Sequence, residues 1–153
     1  MNRQRTFSYK FNNDKIESNF FINDTNSYAF NGLFNANLKN LFFYGPRKSG
    51  KSFLGQIWLK KNKAIEFQNN FEFIVNNKKN VLIDNFLNHH QEDIFHIVNN
   101  CILNNLKILI FSEKKINDIN FQYNDLSSRL KTFSFLEIDQ PNDDMLVNIL
   151  TKL

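Results

Sequence analysis

Cysteine, proline, glycine and arginine are scarce in this chain of 153 residues, which has one, two, four and four of them respectively. The single cysteine, Cys101, has no partner for an internal disulfide, which favours a reducing compartment, the cytoplasm. Few prolines and glycines argue against a linker or a turn-rich β-sandwich. No apolar run approaches the roughly 18 residues that a membrane span requires, and residues 1–6 lead into no signal-peptide core. We therefore expect no membrane partner.

The residues that are abundant indicate one folded domain. Hydrophobic residues make up 42% of the chain and aromatic residues 15%, which is enough to pack a core and excludes a disordered tail. The net charge of +4 permits contact with nucleic acid or an acidic protein without requiring either. Asparagine occurs 27 times, as is typical of AT-rich coding sequences, so the arginines are more informative than usual. They are Arg3, Arg5, Arg47 and Arg129.

Apolar residues alternate along the chain between strand-like runs and helix-like spacing. The runs predict strands at 38–44, 64–67, 81–83, 107–111 and 133–138. The helical spacing predicts one helix that begins at Tyr28 and four further helices at 49–60, 91–103, 123–130 and 142–153. The run at 71–75 fits a helix or a strand, and residues 1–19 fit an extended polar arm. Strands that alternate with helices predict an α/β sandwich with a mostly parallel sheet.

A glycine-containing motif lies between a predicted strand and a predicted helix. It has the pattern GxxxxGK[ST] and consists of Gly45, Pro46, Arg47, Lys48, Ser49, Gly50, Lys51 and Ser52. The two glycines let the backbone wrap, so that its N–H groups and the positive end of the next helix point at phosphates. Lys51 supplies a mobile charge for the outer phosphates, and Ser52 supplies a hydroxyl for Mg²⁺. The motif predicts that the loop binds ATP or ADP.

The apolar strand at 81–83 ends at a carboxylate, Asp84, which fits the Walker B partner of such a loop. We expect Asp84 to hold Mg²⁺ together with Ser52. The next residue is Asn85, where many hydrolysing proteins of this kind have a second carboxylate that acts on the attacking water. Because an amide cannot act as a base, Asn85 predicts slow or absent hydrolysis by the chain itself.

These motifs, with residues 107–113 and the Asp-Leu-Ser-Ser-Arg-Leu run at 125–130, resemble the DnaA/Hda family of AAA+ proteins, and its Hda-like members most. The resemblance covers residues 20–150. It implies a P-loop NTPase fold of the AAA+ type, a three-layer αβα sandwich with a five-stranded parallel sheet. Residues 20–30 are similar to the family's segment near adenine, and residues 141–146 to the start of its lid domain.

The same resemblance implies roles for three polar residues. Arg129 is similar to the arginine finger, which reaches a nucleotide bound in a neighbouring subunit. Glu113, or Ser112, lies where the family has its sensor 1 contact to the γ-phosphate or water. From the residues alone, Arg129 also fits a surface salt-bridge partner on a helix, so both interpretations stay open.

The arm contains a short motif that is similar to the clamp-binding peptide of Hda-like proteins. Its anchors are Gln4, Phe7 and Tyr9, although Arg5 stands where relatives commonly have an apolar residue. Gln4 would hydrogen-bond in a pocket, while the two aromatic rings fill an apolar groove. The alternative is that Phe7 and Tyr9 cover the protein's own sheet.

The chain departs from the family pattern at its C-terminal end. We expect two parts, an arm at 1–19 and an AAA+ core at 20–153, with the lid domain missing. The sensor 2 arginine of the lid and the DNA-binding domain of the full initiators have no counterpart. On this reading the chain is not a full initiator, and its nucleotide affinity is reduced.

The resemblance implies a regulator of replication initiation. Bound to the sliding clamp of the DNA polymerase, it would promote hydrolysis of the ATP held by DnaA, with DNA contacted only indirectly or weakly. Two alternatives remain: a P-loop ATPase of the helicase-loader type, and a degenerate AAA+ module that binds partners without hydrolysis. The first predicts turnover without a partner, which Asn85 and the missing lid disfavour.

Several other features are weaker signals. His89, His90 and His96 have no neighbouring ligand cluster and are expected on the solvated surface. Cys101 and Trp58 are expected in the core. The lysines at 60–63 and 78–79 form separate basic groups in the sequence, which favours a solvated face over contact with a nucleic-acid backbone.

Overall fold

Helices and strands alternate along residues 27–138, the part of the chain that the computed structural model describes. Its strands are β1 Asn40–Tyr44, β2 Ile65–Glu66, β3 Val81–Ile83, β4 Ile108–Ser112 and β5 Ser134–Glu137. Its α-helices are α1 Ser27–Leu33, α2 Lys51–Asn62, α3 Phe71–Asn77, α4 Gln91–Leu103 and α5 Asn124–Leu130. Two short 3₁₀ helices, Phe86–Asn88 and Ile116–Asp118, lie in the connections after β3 and β4.

The five predicted strands are all present, each within a few residues of its expected bounds. The segment at 71–75, which fits either state by its sequence, is the helix α3. The arm at 1–19 and the helix predicted at 142–153 lie outside the described residues. No helix between Ser27 and Ile138 is long and apolar enough to cross a bilayer.

The strands form one parallel sheet in the order β2-β3-β4-β1-β5. The strand before the phosphate loop, β1, is therefore internal, with β4 on one side and β5 on the other. Parallel neighbours place their carboxyl ends at one edge of the sheet, so the residues that follow β1, β3 and β4 lie close together. The fold confirms the predicted five-stranded parallel αβα sandwich.

Alternate residues of the central strands pack on opposite faces of the sheet. Phe42, Ile83 and Ile110 are fully buried on the face that α3, α4 and α5 cover. On the other face, Phe43 and Phe111 are buried under α1 and α2, with their rings edge to face at 5.4 Å. Both faces of every central strand are therefore apolar, as is typical of a parallel sheet between two helical layers.

Cys101 and Trp58 both lie in this core, as expected. Cys101 lies on α4 with no exposed surface, and burial raises the pKa of its thiol to about 12. Trp58 is 2% exposed and packs on the face that α2 covers. At that pKa the thiol stays protonated, so Cys101 is a small core residue without nucleophilic character.

Helix α2 approaches the sheet closely because Gly55 has no side chain. A Cβ atom at Gly55 would lie 2.7 Å from Cε2 of Phe111 and 3.1 Å from Cδ2 of Leu82. Both neighbours are fully buried, and the Phe111 ring is held by Phe43. The position of α2, which begins at the phosphate loop, therefore depends on this glycine.

We predict that Gly55→Ala lowers the free energy of unfolding. Alanine gains about 1 kcal/mol in helix propensity, but overpacking a buried contact costs about 1–3 kcal/mol, so we expect a net loss of up to about 2 kcal/mol. Urea unfolding followed by circular dichroism measures the change. The matched control is Gln56→Ala on the exposed side of α2, which should change stability by less than about 0.5 kcal/mol. An increase in stability for Gly55→Ala would show that α2 has room to move.

Candidate functional site

The phosphate loop turns sharply between the end of β1 and the start of α2. The Gly45 N–H donates a hydrogen bond to the Ser112 carbonyl at 3.1 Å, which holds the loop to the end of β4. The φ angles of Lys48 and Gly50 are 59° and 97°, in the left-handed region, where Gly50 is free of the steric cost that Lys48 bears. The first residue of α2 is Lys51, so the N-terminal end of this twelve-residue helix faces the loop. This arrangement favours anions.

Lys51 is a buried cation without a carboxylate partner among the described residues. Its Nζ donates hydrogen bonds to the carbonyl oxygens of Gly45 at 2.5 Å and Pro46 at 2.6 Å, and to Ser49 Oγ at 3.3 Å. Only 9% of the residue is exposed. Burial lowers the pKa of Lys51, while the charges of Glu113 and Asp84 act in the opposite direction. A positive charge held by neutral oxygens is available for an anion.

Ser52 and Asp84 bring a hydroxyl and a carboxylate together beside Lys51. The Ser52 hydroxyl donates to Oδ2 of Asp84 at 3.1 Å, and Oδ1 of Asp84 accepts the Asn85 N–H at 2.9 Å. Oxygen ligands of these two types are the ones that Mg²⁺ prefers, so the donor set fits this cation. Asn85 has a left-handed φ of 53° and lines the same cavity, where it contributes an amide and no carboxylate.

These residues line a cavity of about 530 Å³ at the carboxyl edge of the sheet. Three of its side chains are cationic and two are anionic. Its lining consists of Arg47, Lys48, Gly50, Lys51, Ser52, Phe53, Asp84, Asn85, Leu87, Asn88 and Glu113. The structure thus brings most of the predicted phosphate loop together with Asp84 and Glu113. Both the net positive lining and the volume suit a polyanion of the size of a nucleotide's phosphates.

The two sensor 1 candidates differ in what their side chains contact. Glu113 lines the cavity, and its Oε1 forms an ion pair with Nε of Arg47 at 2.8 Å. The Ser112 hydroxyl donates to the Lys114 carbonyl at 2.8 Å and accepts the Lys114 N–H at 3.1 Å, so it is engaged within its own turn. Arg47 is 84% exposed in its side chain and can leave the pair at little cost.

Arg129 lies on α5 and is absent from the lining of the cavity. It is exposed, and its guanidinium carbon lies 5.9 Å from the centre of the Phe95 ring on α4. Within residues 27–138 it has no carboxylate partner, so the salt-bridge alternative has no support there. The side chain contacts an aromatic face and otherwise points to solvent.

His89 makes a contact that its sequence does not indicate. Its Nε2 lies 2.9 Å from the carbonyl oxygen of Asp84, and its ring packs edge to face on Phe67 at 4.9 Å. The residue is half-buried, which corrects the expectation of a solvated histidine. His89 thereby fixes the turn that carries Asp84 and Asn85. The only local signal is its position just after the Walker B strand, whereas its partner Phe67 comes from the β2 end.

Other predicted residues have no described surroundings. Gln4, Phe7 and Tyr9 lie outside residues 27–138, as do the arm and the end of the chain, so their roles stay predictions. Between Ser27 and Ile138 the structure contains no group of three or more histidine, cysteine or acidic side chains that could hold a metal ion. The candidate Mg²⁺ site therefore consists of one hydroxyl and one carboxylate beside the phosphate loop.

No family model and no curated protein matches the chain. Solved structures are similar to it. AMPPCP-bound DnaA from Aquifex aeolicus has a TM-score of 0.67 at 20% identity over 88% of this chain and 52% of that chain. Domain III of the Thermotoga maritima DnaA has a TM-score of 0.71 at 20% identity, over 88% and 71%. A putative primosome component from Streptococcus pyogenes has a TM-score of 0.59 at 17% identity, over 78% and 82%.

Together, the parallel αβα fold and the phosphate loop show that the protein has a P-loop NTPase fold. The five-stranded parallel sheet and its helices match the fold of DnaA domain III, as predicted. At this level of identity the similarity is one of fold, and the chain spans about half the length of the Aquifex aeolicus DnaA chain.

We predict that Glu113→Gln tightens the binding of inorganic tripolyphosphate by roughly 3- to 10-fold, because it removes a negative charge from the cavity and releases Arg47. Arg47→Ala should weaken binding, since it leaves the Glu113 carboxylate without its partner. Isothermal titration calorimetry measures both. The control is Glu92→Gln in the first turn of α4, which makes the same charge change away from the cavity. Equal effects of the two glutamine variants would mean that net charge, not the Arg47–Glu113 pair, governs anion binding.

Proposed function

We propose that the chain binds ATP or ADP with Mg²⁺ in the cavity at the carboxyl edge of the sheet. The observation that carries this proposal is the buried ammonium group of Lys51, which is held by three neutral oxygens of its own loop. A buried cation without a direct counter-ion is costly, and a phosphate group would compensate it. The nucleotide in the similar Aquifex aeolicus DnaA structure agrees with this proposal.

Each part of the site has a task in such binding. The backbone N–H groups of the loop and the start of α2 would hold the phosphates, and Lys51 would contact the outer ones. Ser52 and Asp84 would hold Mg²⁺, which, when bound, neutralises phosphate charge. The cavity wall at Asn85 carries no second carboxylate, so we expect little hydrolysis by the chain itself.

We further propose that the chain regulates replication initiation in the manner of Hda, by promoting hydrolysis of the ATP that DnaA holds. Arg129 would act as the arginine finger towards that nucleotide. Its exposure and its position outside the cavity of its own chain support a role towards another subunit. Its contact with the Phe95 ring holds the guanidinium on the surface of α4 and α5 without a competing carboxylate.

The sliding clamp would supply the location for this activity. Gln4, Phe7 and Tyr9 would insert into a groove of the clamp, as extended peptides with a few anchoring side chains do. Residues 20–153 would form the AAA+ core. Tethering raises the local concentration of Arg129 near DnaA that has loaded on the same DNA.

Two alternative functions fit the same cavity. A self-acting ATPase of the helicase-loader type is favoured by the similarity to the primosome component. It requires turnover by the chain alone, which Asn85 disfavours. A binding module that uses nucleotide only for its fold requires that Lys51→Ala removes nucleotide binding and leaves the effects on partners intact.

We predict that Lys51→Gln weakens the binding of fluorescent ADP by about 100-fold, the loss expected when a buried charged partner is removed. Wild-type affinity should decline as the pH rises, beginning below the ordinary lysine value of 10.5, because burial lowers the pKa of Lys51 in the free protein and phosphate binds the protonated form. Lys51→Arg, which stays charged, should show no such decline. Wild-type affinity that is as independent of pH as that of Lys51→Arg would contradict a phosphate contact by a Lys51 whose pKa is lowered.

We predict that the chain accelerates ADP formation on ATP-loaded DnaA when the clamp is loaded on DNA, and that Arg129→Ala removes the acceleration. Arginine fingers contribute about 10³–10⁵ in rate, so the loss should approach completeness. Lys131→Ala, which removes a neighbouring exposed charge, is the matched control and should remain active. Acceleration that survives in Arg129→Ala would contradict the finger. ADP formation by the chain alone would favour the loader-type ATPase.

A further inference from the structure

Five lysines meet at the edge of the sheet opposite the cavity, where the strands begin. Backbone hydrogen bonds join successive positions there: the Lys39 carbonyl accepts the Ile108 N–H at 2.8 Å, and the Lys107 carbonyl accepts the Val81 N–H at 3.0 Å. The residues just before β2 and β3 lie along the same edge. We call Lys39, Lys63, Lys78, Lys79 and Lys107 the lysine row. The five lysines are far apart in the sequence, and they lie along one edge only because the strands are ordered β2-β3-β4-β1.

Asparagine side chains hold part of the lysine row in place. Nζ of Lys107 donates to Oδ1 of Asn62 at 3.1 Å, and its backbone N–H donates to Oδ1 of Asn80 at 2.9 Å. Nζ of Lys39 donates to Oδ1 of Asn105 at 2.7 Å. Neutral amides orient these ammonium groups and leave their charge uncompensated, which lowers the entropy lost when they meet an anion.

Most of the acidic side chains of the described residues lie at the other edge, whereas Glu66, which pairs with Leu82 in the two-residue strand β2, lies between the two edges. Each acidic residue is the last residue of a strand, directly follows a strand, or lies in the first turn of a helix that follows a strand. They are Glu66, Glu72, Asp84, Glu92, Asp93, Glu113, Asp118, Asp125 and Glu137. Between Ser27 and Ile138, no carboxylate forms an ion pair with any member of the lysine row. The row therefore faces solvent as a field of one sign.

We propose that the lysine row is a contact surface for the phosphate backbone of a nucleic acid. Four neighbouring strands at about 4.8 Å give the row a length of about 14 Å, over which one strand of a duplex presents about four phosphates at ~3.4 Å each. A linear series of cations matches a linear polyanion. The surface is independent of the nucleotide cavity, and in it Lys63, from one of the two basic groups in the sequence, lies on the same edge as Lys78 and Lys79, from the other.

Helix capping and membrane attachment account less well for the lysine row. Lys63 and Lys78 follow the ends of α2 and α3, where cations favour the helix dipole, but Lys39 and Lys107 precede strands and have no such role. Attachment to an anionic membrane requires an apolar face or a lipid besides the basic residues. The row consists of lysines and their asparagine partners, so a polar, hydrated backbone is the better partner.

The test is fluorescence anisotropy of the full chain with a labelled single-stranded DNA of mixed sequence and with the corresponding duplex, over a series of salt concentrations. The wild type should bind both with an affinity that falls steeply with salt. The double variant Lys78→Gln, Lys79→Gln should bind several-fold more weakly. Its slope of log affinity against log salt should be smaller by about 1.4 for the single strand and about 1.8 for the duplex. Lys78 and Lys79 are exposed and make no side-chain hydrogen bond within the described residues, so folding should be unaffected.

The matched control is Lys114→Gln, Lys115→Gln, which removes the same charge at the cavity edge and should leave the slope unchanged. Equal losses in the two double variants would overturn the proposal, because net charge would then account for the binding. An absence of salt-dependent binding by the wild type would also overturn it. So would binding to vesicles of anionic phospholipid that depends on Lys78 and Lys79, with no binding to either DNA.

Discussion

The buried charge of Lys51 is the constraint on which the rest of the site depends. A lysine that is nine-tenths buried requires oxygens around its ammonium group, and the chain supplies them from Gly45, Pro46 and Ser49. Those oxygens converge only if the loop passes through left-handed backbone at Lys48 and Gly50 and is tied to the end of β4. The close approach of α2 to the sheet then fixes the direction from which Lys51 enters. Loop, helix and sheet thus satisfy one electrostatic requirement together.

The parallel sheet separates two kinds of chemistry by geometry alone. Every strand ends at one edge and begins at the other, so residues that follow strands meet each other and never meet those that precede strands. In the described residues most of the carboxylates collect at the first edge, on the side of the cavity, and the lysine row forms at the second. The carboxylates near the phosphate loop repel an incoming anion, and one of them, Glu113, forms an ion pair with Arg47 of the loop. At the opposite edge, no carboxylate of residues 27–138 forms an ion pair with a lysine of the row.

The sequence of this protein predicts its local features well, but it predicts poorly the features that join distant segments of the chain. The phosphate loop and the strand ending at Asp84 are contiguous patterns, so their positions follow from spacing, and apolar runs locate all five strands. The pairing of Arg47 with Glu113, the contact of His89 with Phe67 and the lysine row join segments that are distant in the chain. Such contacts depend on strand order, which no local pattern contains. The helix α3 is ambiguous in the sequence because its short apolar run fits either state until packing on α4 decides.

Cys101 has a consequence for how this protein can be observed. It is the only thiol in the chain, it is fully buried in the layer beneath α4, and burial raises its pKa to about 12. At neutral pH its thiolate is roughly three orders of magnitude rarer than that of an exposed cysteine, whose pKa is about 8.5. Alkylating reagents therefore attack this atom only when α4 lifts from the sheet. The rate at which Cys101 is alkylated therefore reports how often the core of the native chain opens, and no label has to be introduced.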